Sequence, residues 1–309
     1  MPMPPIVSAA FAVCLSIAGC SAAAMADAAP AAASASAPLA IGDTWTIASA
    51  ALGETRRINV YVPAGLPANT PLPVLYMPDG GMLEDFLHVA GLLQVGAGNG
   101  TVRPFLLVGI ENTQRRRDLT GPTEVAKDRS IAPKVGGSQA YRTFIRTELM
   151  PEVEKRYRVT HERGIVGESL AGLFVVETLV LEPDLFDTYI AIDPSLWWND
   201  RQLAKRLTAQ PPSGAARKTL YIAASADALP DMDAALKASL GKAPGLDFRY
   251  EAWPGETPCH SLSPGCAEGV AGGARAALIR HSPRHSPLYS VRHGRSAPAA
   301  RRHDGRRRC

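Results

Sequence analysis

Between residues 41 and 253 the spacing of hydrophobic positions changes repeatedly. Short stretches that alternate, or stay apolar throughout, give way to longer ones in which apolar residues return every three to four positions. These are the periods of strand and helix. The pattern predicts strands over 43–49, 57–63, 72–78, 104–110, 164–167, 188–192, 219–224 and 247–253. It predicts helices over 83–93, 138–157, 170–181, 200–208 and 230–240. The first two strands alternate, as at an antiparallel edge, whereas Val74-Leu75-Tyr76 and Phe105-Leu106-Leu107-Val108 are continuous apolar runs suited to buried parallel strands. Strand and helix in turn imply one α/β domain, a mostly parallel central sheet with helices on both faces. No internal repeat is visible. The stretch 111–137 is charged and contains Gly and Pro; a loop that long in a compact domain is usually functional or mobile, and this one is expected to border a site.

The flanks have a different composition. Residues 5–19 are apolar and rich in small side chains, the length of an export-signal core and too short to span a bilayer. They end in Leu15-Ser16-Ile17-Ala18-Gly19-Cys20, which resembles the lipobox of bacterial lipoproteins and makes Cys20 a candidate for lipidation. The competing reading is cleavage after Ala24-Met25-Ala26. The expected organisation is therefore a lipoprotein-type signal over 1–20, an Ala/Pro/Ser linker over 21–40, a folded domain over 41–257 and a basic tail over 258–309. The expected location is exported, either periplasmic or anchored to a membrane.

Charge follows the same division. The tail holds ten Arg against Glu268 and Asp304, a net +8, so the overall +4 leaves the remaining residues at −4. The basic excess thus sits in one aromatic-poor segment, which argues against a nucleic-acid-binding body. No cysteine lies between Cys20 and Cys259, so neither a disulfide framework nor a thiolate metal site holds the body together.

The informative chemistry is Gly164-Ile165-Val166-Gly167-Glu168-Ser169-Leu170-Ala171-Gly172, an apolar strand, a Gly-x-Ser turn and a small-residue helix start. Such a nucleophile elbow exposes the Ser169 hydroxyl at the carboxyl edge of the sheet, with the helix N-terminus facing a developing oxyanion. Ala171 stands where the second Gly usually does, with Gly172 one position later.

Together with Arg57-Ile58-Asn59-Val60-Tyr61-Val62-Pro63, Val74-Leu75-Tyr76-Met77-Pro78-Asp79-Gly80-Gly81, Gly109-Ile110-Glu111-Asn112, Arg115-Arg116-Arg117-Asp118-Leu119-Thr120 and Pro194-Ser195-Leu196-Trp197-Trp198, this motif resembles one family. It is similar to the α/β-hydrolase esterases that include the siderophore trilactone esterases, more distantly S-formylglutathione hydrolase and feruloyl esterases, over residues 55–257. The resemblance implies the α/β-hydrolase fold and an oxyanion hole from the backbone N–H of Leu170 and one from the Asp79-Gly80-Gly81 turn. It implies a substrate pocket lined by Trp197 and Trp198, which are otherwise core aromatics. Arg115, Arg116 and Arg117 would meet an anionic substrate or form a solvated charged loop. For the acid, Asp227 follows the next-to-last strand, where this fold places it, and Asp193 in the Ile-Asp-Pro turn is the runner-up; Asp231 and Asp233 fit a helix start. Some siderophore esterases resemble a Ser-His dyad, with no third member required.

The base should follow the last strand, and the family carries a His soon after a sequence like Gly255-Glu256-Thr257. Here Pro258-Cys259-His260-Ser261 follows instead. If Pro258 is CCA, the bases read one position later give His-Ala-Thr and then a sequence like the family's ending. A one-base slip near codon 258 therefore accounts for the Arg-rich tail, whose composition otherwise suits a disordered segment. As written, His260 is nearest the expected base; His88 and His161 precede Ser169 and read as surface or helix residues.

The sequence thus predicts an exported serine esterase acting through Ser169, Asp227 and His260, without metal or other cofactor, on a small-molecule ester. The alternative is a catalytically impaired hydrolase-fold surface lipoprotein that binds rather than hydrolyses. A third reading keeps the fold for peptides or polysaccharide acyl groups.

Overall fold

A computed structural model of the chain describes residues 37–214 and 216–255. The signal segment with Cys20, most of the linker, His260 and the tail lie outside the described residues. The chain divides into two units, Met1–Leu39 and Ala40–Cys309. The described residues fall almost wholly in the second.

All eight predicted strands form, as β1 (Gly42–Ser49), β2 (Glu54–Tyr61), β3 (Leu72–Pro78), β4 (Leu106–Ile110), β5 (Val159–Glu168), β6 (Thr188–Ile192), β7 (Lys218–Ser225) and β8 (Leu246–Trp253). They make one sheet in the order β1-β2-β4-β3-β5-β6-β7-β8. β1 and β2 are antiparallel, β2 is antiparallel to β4, and every pair from β4 to β8 is parallel. This is the α/β-hydrolase architecture, with the alternating strands at the edge and the continuous apolar ones inside.

Alternation along the parallel strands divides the core in two. Val74 and Tyr76 of β3 join one cluster, with Ile165 of β5 and Ile222 of β7. Leu75 and Met77 join the other, with Ile190 and Ile192 of β6. The second face is covered by α1 (Phe86–Gly98) through Phe86, Val89, Ala90 and Leu93. The first is covered by α6 (Leu170–Leu181) and other helices, and α6 buries residues from Leu170 to Val176 without interruption. The predicted helix over 138–157 is continuous but not uniform. A π turn at Ile145–Leu149 joins α4 (Ser138–Phe144) to α5 (Met150–Arg156).

The expected loop over 111–137 contains two short helices, α2 (Arg115–Leu119) and α3 (Ala126–Ile131). Their order comes from tertiary anchoring. Leu119 is fully buried, and Asp118 receives the fully buried Arg56 of β2, which also pairs with Glu54 at 2.5 Å. Arg56 Nη1 further donates to the Glu111 carbonyl at 3.3 Å. The remaining helices are α7 (Trp198–Ala209) and α8 (Ala234–Gly241).

Neutralising Asp118 leaves the buried Arg56 with Glu54 as its remaining carboxylate partner, at a cost of about 1–3 kcal/mol. Asp118→Asn is therefore expected to lower the midpoint of denaturant unfolding. Arg56→Met combined with Asp118→Leu should recover part of the loss, both read by circular dichroism.

Candidate active site

β5 ends beside Ser169, which turns the chain into α6 at φ 56° and ψ −116°. A positive φ on a residue with a side chain is strained. Three neighbours hold it. The Ser169 N–H donates to the Ile192 carbonyl at the end of β6 (2.9 Å), while its own carbonyl accepts from Leu173 N–H (2.9 Å) and Ser195 N–H (3.0 Å). The turn is tight enough that a Cβ on Gly167 would lie 2.6 Å from the Ala171 carbonyl carbon and 2.7 Å from its Cβ. With Ala at 171, residue 167 must be Gly. Gly172 takes the other close approach, its missing Cβ falling 3.0 Å from the Ile192 oxygen and from Pro194 Cα.

Ser169 Oγ lies 3.2 Å from Ser195 Oγ. Ser195, which is buried, had only a motif membership in the sequence. Its contact arises because β5 and β6 are in parallel register, Glu168 opposite Ile192, so that the turn after β6 meets the turn after β5.

On the other side of β5 lies the turn after β3. Leu170 N–H, first in α6, has no carbonyl within the helix to bind. In the β3 turn, Gly80 N–H donates to the Ile110 carbonyl at 3.0 Å. A Cβ on Gly80 would sit 2.2 Å from Gly109 Cα, so this glycine is required by β4. Gly81 N–H instead donates to Glu84 Oε2 at 2.7 Å. A carboxylate oxygen thus occupies one of the two expected glycine donors.

Two of the three arginines near this turn, Arg115 and Arg117, are held in ion pairs. Arg115 grips Asp79 with Nε on Oδ1 and Nη2 on Oδ2, both at 2.7 Å. Asn112 Nδ2 bridges Asp79 Oδ1 and Glu84 Oε1 at 2.5 and 2.9 Å. Arg117 pairs with Glu54 (2.7 Å) and Asp118 (2.6 Å), and Arg116 donates to the Ile131 carbonyl at 2.6 Å. The loop thus packs against the turn after β3 through Asn112 and Arg115. Asp85, at the start of α1, is pushed up to about 6, first by burial and then by the Asp79 charge, with Arg115 opposing and Glu84 adding to the rise.

Trp197 and Trp198 point into different surroundings. Trp197 is 40% exposed, whereas Trp198 is buried. Trp198 lines a cavity of about 300 Å³ between α6 and α7 whose walls include Leu173, Glu177 and Leu203 but not Ser169.

The two acid candidates differ as sharply. Asp227 lies just beyond β7, at the expected place in the chain, and is exposed. Asp193 follows β6 at φ 44° and is buried. Its Oδ1 accepts Ser225 N–H and its own N–H donates to the Ala223 carbonyl at 2.9 Å. Asp233 caps α8, accepting Leu236 N–H at 2.8 Å. His161 is exposed, and burial lowers the pKa of the half-buried His88 on α1. Among the described residues no group of three or more His, Cys, Asp or Glu is arranged to hold a metal ion.

Two outcomes follow from this geometry. Gly167→Ala forces Ala171 and the head of α6 apart, so it is expected to cost about 1–3 kcal/mol in thermal unfolding and to displace Ser169. For Asp85 the folded carboxyl keeps its proton to higher pH than the unfolded one, so the folded state binds more protons and stability falls as pH rises from about 4 through about 6. Asp85→Asn removes that loss. The variant should match the wild type in unfolding free energy near pH 4 and exceed it at pH 7, by on the order of 1 kcal/mol once partial solvent screening is allowed for, as read by denaturant unfolding at the two pH values.

Comparison with known proteins places this geometry in context. The family model described as "Putative esterase" matches residues 49–240. The ferri-bacillibactin esterase of Bacillus subtilis is 32% identical over 175 residues, covering 50% of this chain and 58% of that protein. The siderophore triacetylfusarinine C esterase of Aspergillus fumigatus is 34% identical over 140 residues, covering 42% of this chain and 46% of that protein. The chain thus spans about half the length of these relatives. Among solved structures, an IroE-like serine hydrolase of Shewanella oneidensis superposes with a TM-score of 0.66 at 26% identity, over 77% of this chain and 80% of that one. With the family model matching well over half of its length, the chain belongs to this esterase family.

Proposed function

We propose that the protein is an exported serine esterase that cleaves carboxylic esters through an acyl-enzyme on Ser169. The observation that carries this reading is the strained strand-to-helix turn that holds Ser169 half-buried at the carboxyl edge of the sheet, beside the first N–H of α6. Ser169 Oγ attacks the ester carbonyl while an imidazole takes its proton; the tetrahedral intermediate collapses, the alcohol leaves with that proton, and water repeats the sequence to release the acid. His260 is the imidazole candidate in the chain as written, and a His restored by the alternative frame is the other; both lie outside the described residues.

Leu170 N–H and Gly81 N–H are the oxyanion donors in this reading. Gly81 N–H now donates to Glu84 Oε2 at 2.7 Å, so that carboxylate has to move off before the donor can meet an oxyanion. Siderophore trilactones and related acyl esters are the proposed substrates, supported by the names of the relatives. Trp197, exposed on the turn after β6, offers a face to an aromatic acyl group. Export rests on the apolar segment before Cys20, with lipidation of Cys20 as the proposed anchor. No helix among the described residues is long and apolar enough to cross a membrane.

The test is hydrolysis of p-nitrophenyl butyrate and of a triscatecholate trilactone by the full chain, its Ser169→Ala variant and a version restored to the alternative frame after Thr257. Ser169→Ala is expected to lower kcat by at least about 10³-fold with the fold intact. Turnover by the restored version alone would assign the base to the family ending and make the written chain the impaired binder. Turnover that survives Ser169→Ala refutes the reading.

A further inference from the structure

Three buried polar atoms near the ends of β6, β7 and β8 have no hydrogen-bond partner among the described residues: Asp193 Oδ2, Ser225 Oγ and Tyr250 Oη. An unsatisfied buried oxygen is costly, and a carboxylate oxygen most of all. Asp193 carries further costs. It is only 4% exposed, its backbone is left-handed at φ 44°, and no cation pairs with it among the described residues. Folding alone does not call for this arrangement, because the Ser225 N–H needs only the one oxygen it already binds.

Its position supplies the reason. β6 lies between the nucleophile strand and β7, and β8 follows β7 at the edge. Within one turn of chain, Ile192 accepts the Ser169 N–H, Ser195 touches Ser169 Oγ, and Asp193 between them binds Ser225. Ser225 pairs in turn with Trp253 at the end of β8. Asp193 therefore lies at the same sheet edge as Ser169, two residues before Ser195, with one oxygen fixed and the other open. Asp227 stands beyond the end of β7 and is exposed to solvent.

We propose that Asp193, rather than Asp227, is the carboxylate that positions the base of Ser169, its Oδ1 clamped by Ser225 N–H and its Oδ2 kept for the imidazole N–H. This rests on the reading of Ser169 as the nucleophile. Asp193 acts through the base and touches no substrate, so its loss changes turnover and not substrate binding.

The experiment compares the full chain with Asp193→Asn and Asp227→Asn by steady-state hydrolysis of p-nitrophenyl butyrate and by thermal unfolding. Asp193→Asn keeps an acceptor for Ser225 N–H and removes the open carboxylate oxygen. Its kcat should fall about 10²- to 10⁴-fold with KM within about 2-fold, and its melting temperature should hold or rise, since an uncompensated buried charge is removed. Unchanged kcat in Asp193→Asn, or loss in Asp227→Asn instead, overturns the assignment. So does a fall of several degrees in melting temperature, which would make Asp193 a structural clamp. If only the version restored to the alternative frame turns over, the same pair of substitutions is compared in that version, with the same outcomes; if neither version hydrolyses an ester, the esterase reading fails, and the Asp193 assignment, which rests on it, falls with it.

Discussion

The turn at Ser169 is the constraint around which the carboxyl edge of the sheet is arranged. A left-handed serine costs about 1–3 kcal/mol relative to a relaxed one, and it persists only where its surroundings leave no alternative. α6 is one such surrounding, buried without a break over its first seven residues, so the helix cannot tilt away. β6 is another, because its last carbonyl takes the Ser169 N–H and the turn after it returns an N–H to the Ser169 carbonyl. Gly167 and Gly172 are the places where strand, helix and the β6 turn approach closer than a Cβ allows. Side chains near the edge are positioned by these backbone contacts rather than by interactions of their own.

A second chain of dependence runs through charge. Burying Arg56 is expensive unless its guanidinium is paired, and its partner Asp118 lies in the stretch that the sequence alone reads as a loop. The pair fastens α2 to β2, and α2 begins with Arg115, which grips Asp79 with two nitrogens. Asp79 opens the β3 turn at φ 58°, so a buried ion pair on the far strand helps set the turn that flanks Ser169. Arg115 and Arg117 are spent on this scaffold. Recognition of an anionic ligand by either one would have to compete with a carboxylate already in place.

Most of the fold was legible because its strands are buried and parallel. Such strands need continuous apolar runs, and those runs mark β3, β4, β6 and β7 with little ambiguity; the helix after Ser169 was delimited at 170–181 as observed. What escaped the pattern was order imposed from outside the segment. Five-residue α2 is too short to show a helical period, and its burial of Leu119 and Asp118 depends on Arg56, 62 residues away from Asp118. The first residues of β5 were missed for a similar reason. Thr160 to Arg163 are polar and at least partly exposed, and the strand pairs with β3 only across a register shift.

The site was legible where local geometry demands particular residues and illegible where it depends on register. Gly-x-Ser between a strand and a helix can be recognised because the turn itself selects small neighbours. Ser195 carries no such mark: it reaches Ser169 only because β6 is in step with β5. The two aspartates show the same limit. Each follows a strand, and strand order along the chain, which favours Asp227, says nothing of what either side chain meets. What separates them is the backbone around each, since Asp193 is locked between Ile192 and Ser195, both bonded to Ser169, while Asp227 lies past the last paired residue of β7. A residue held by its neighbours' bonds to Ser169 cannot move without disturbing it, and that coupling exists only in three dimensions.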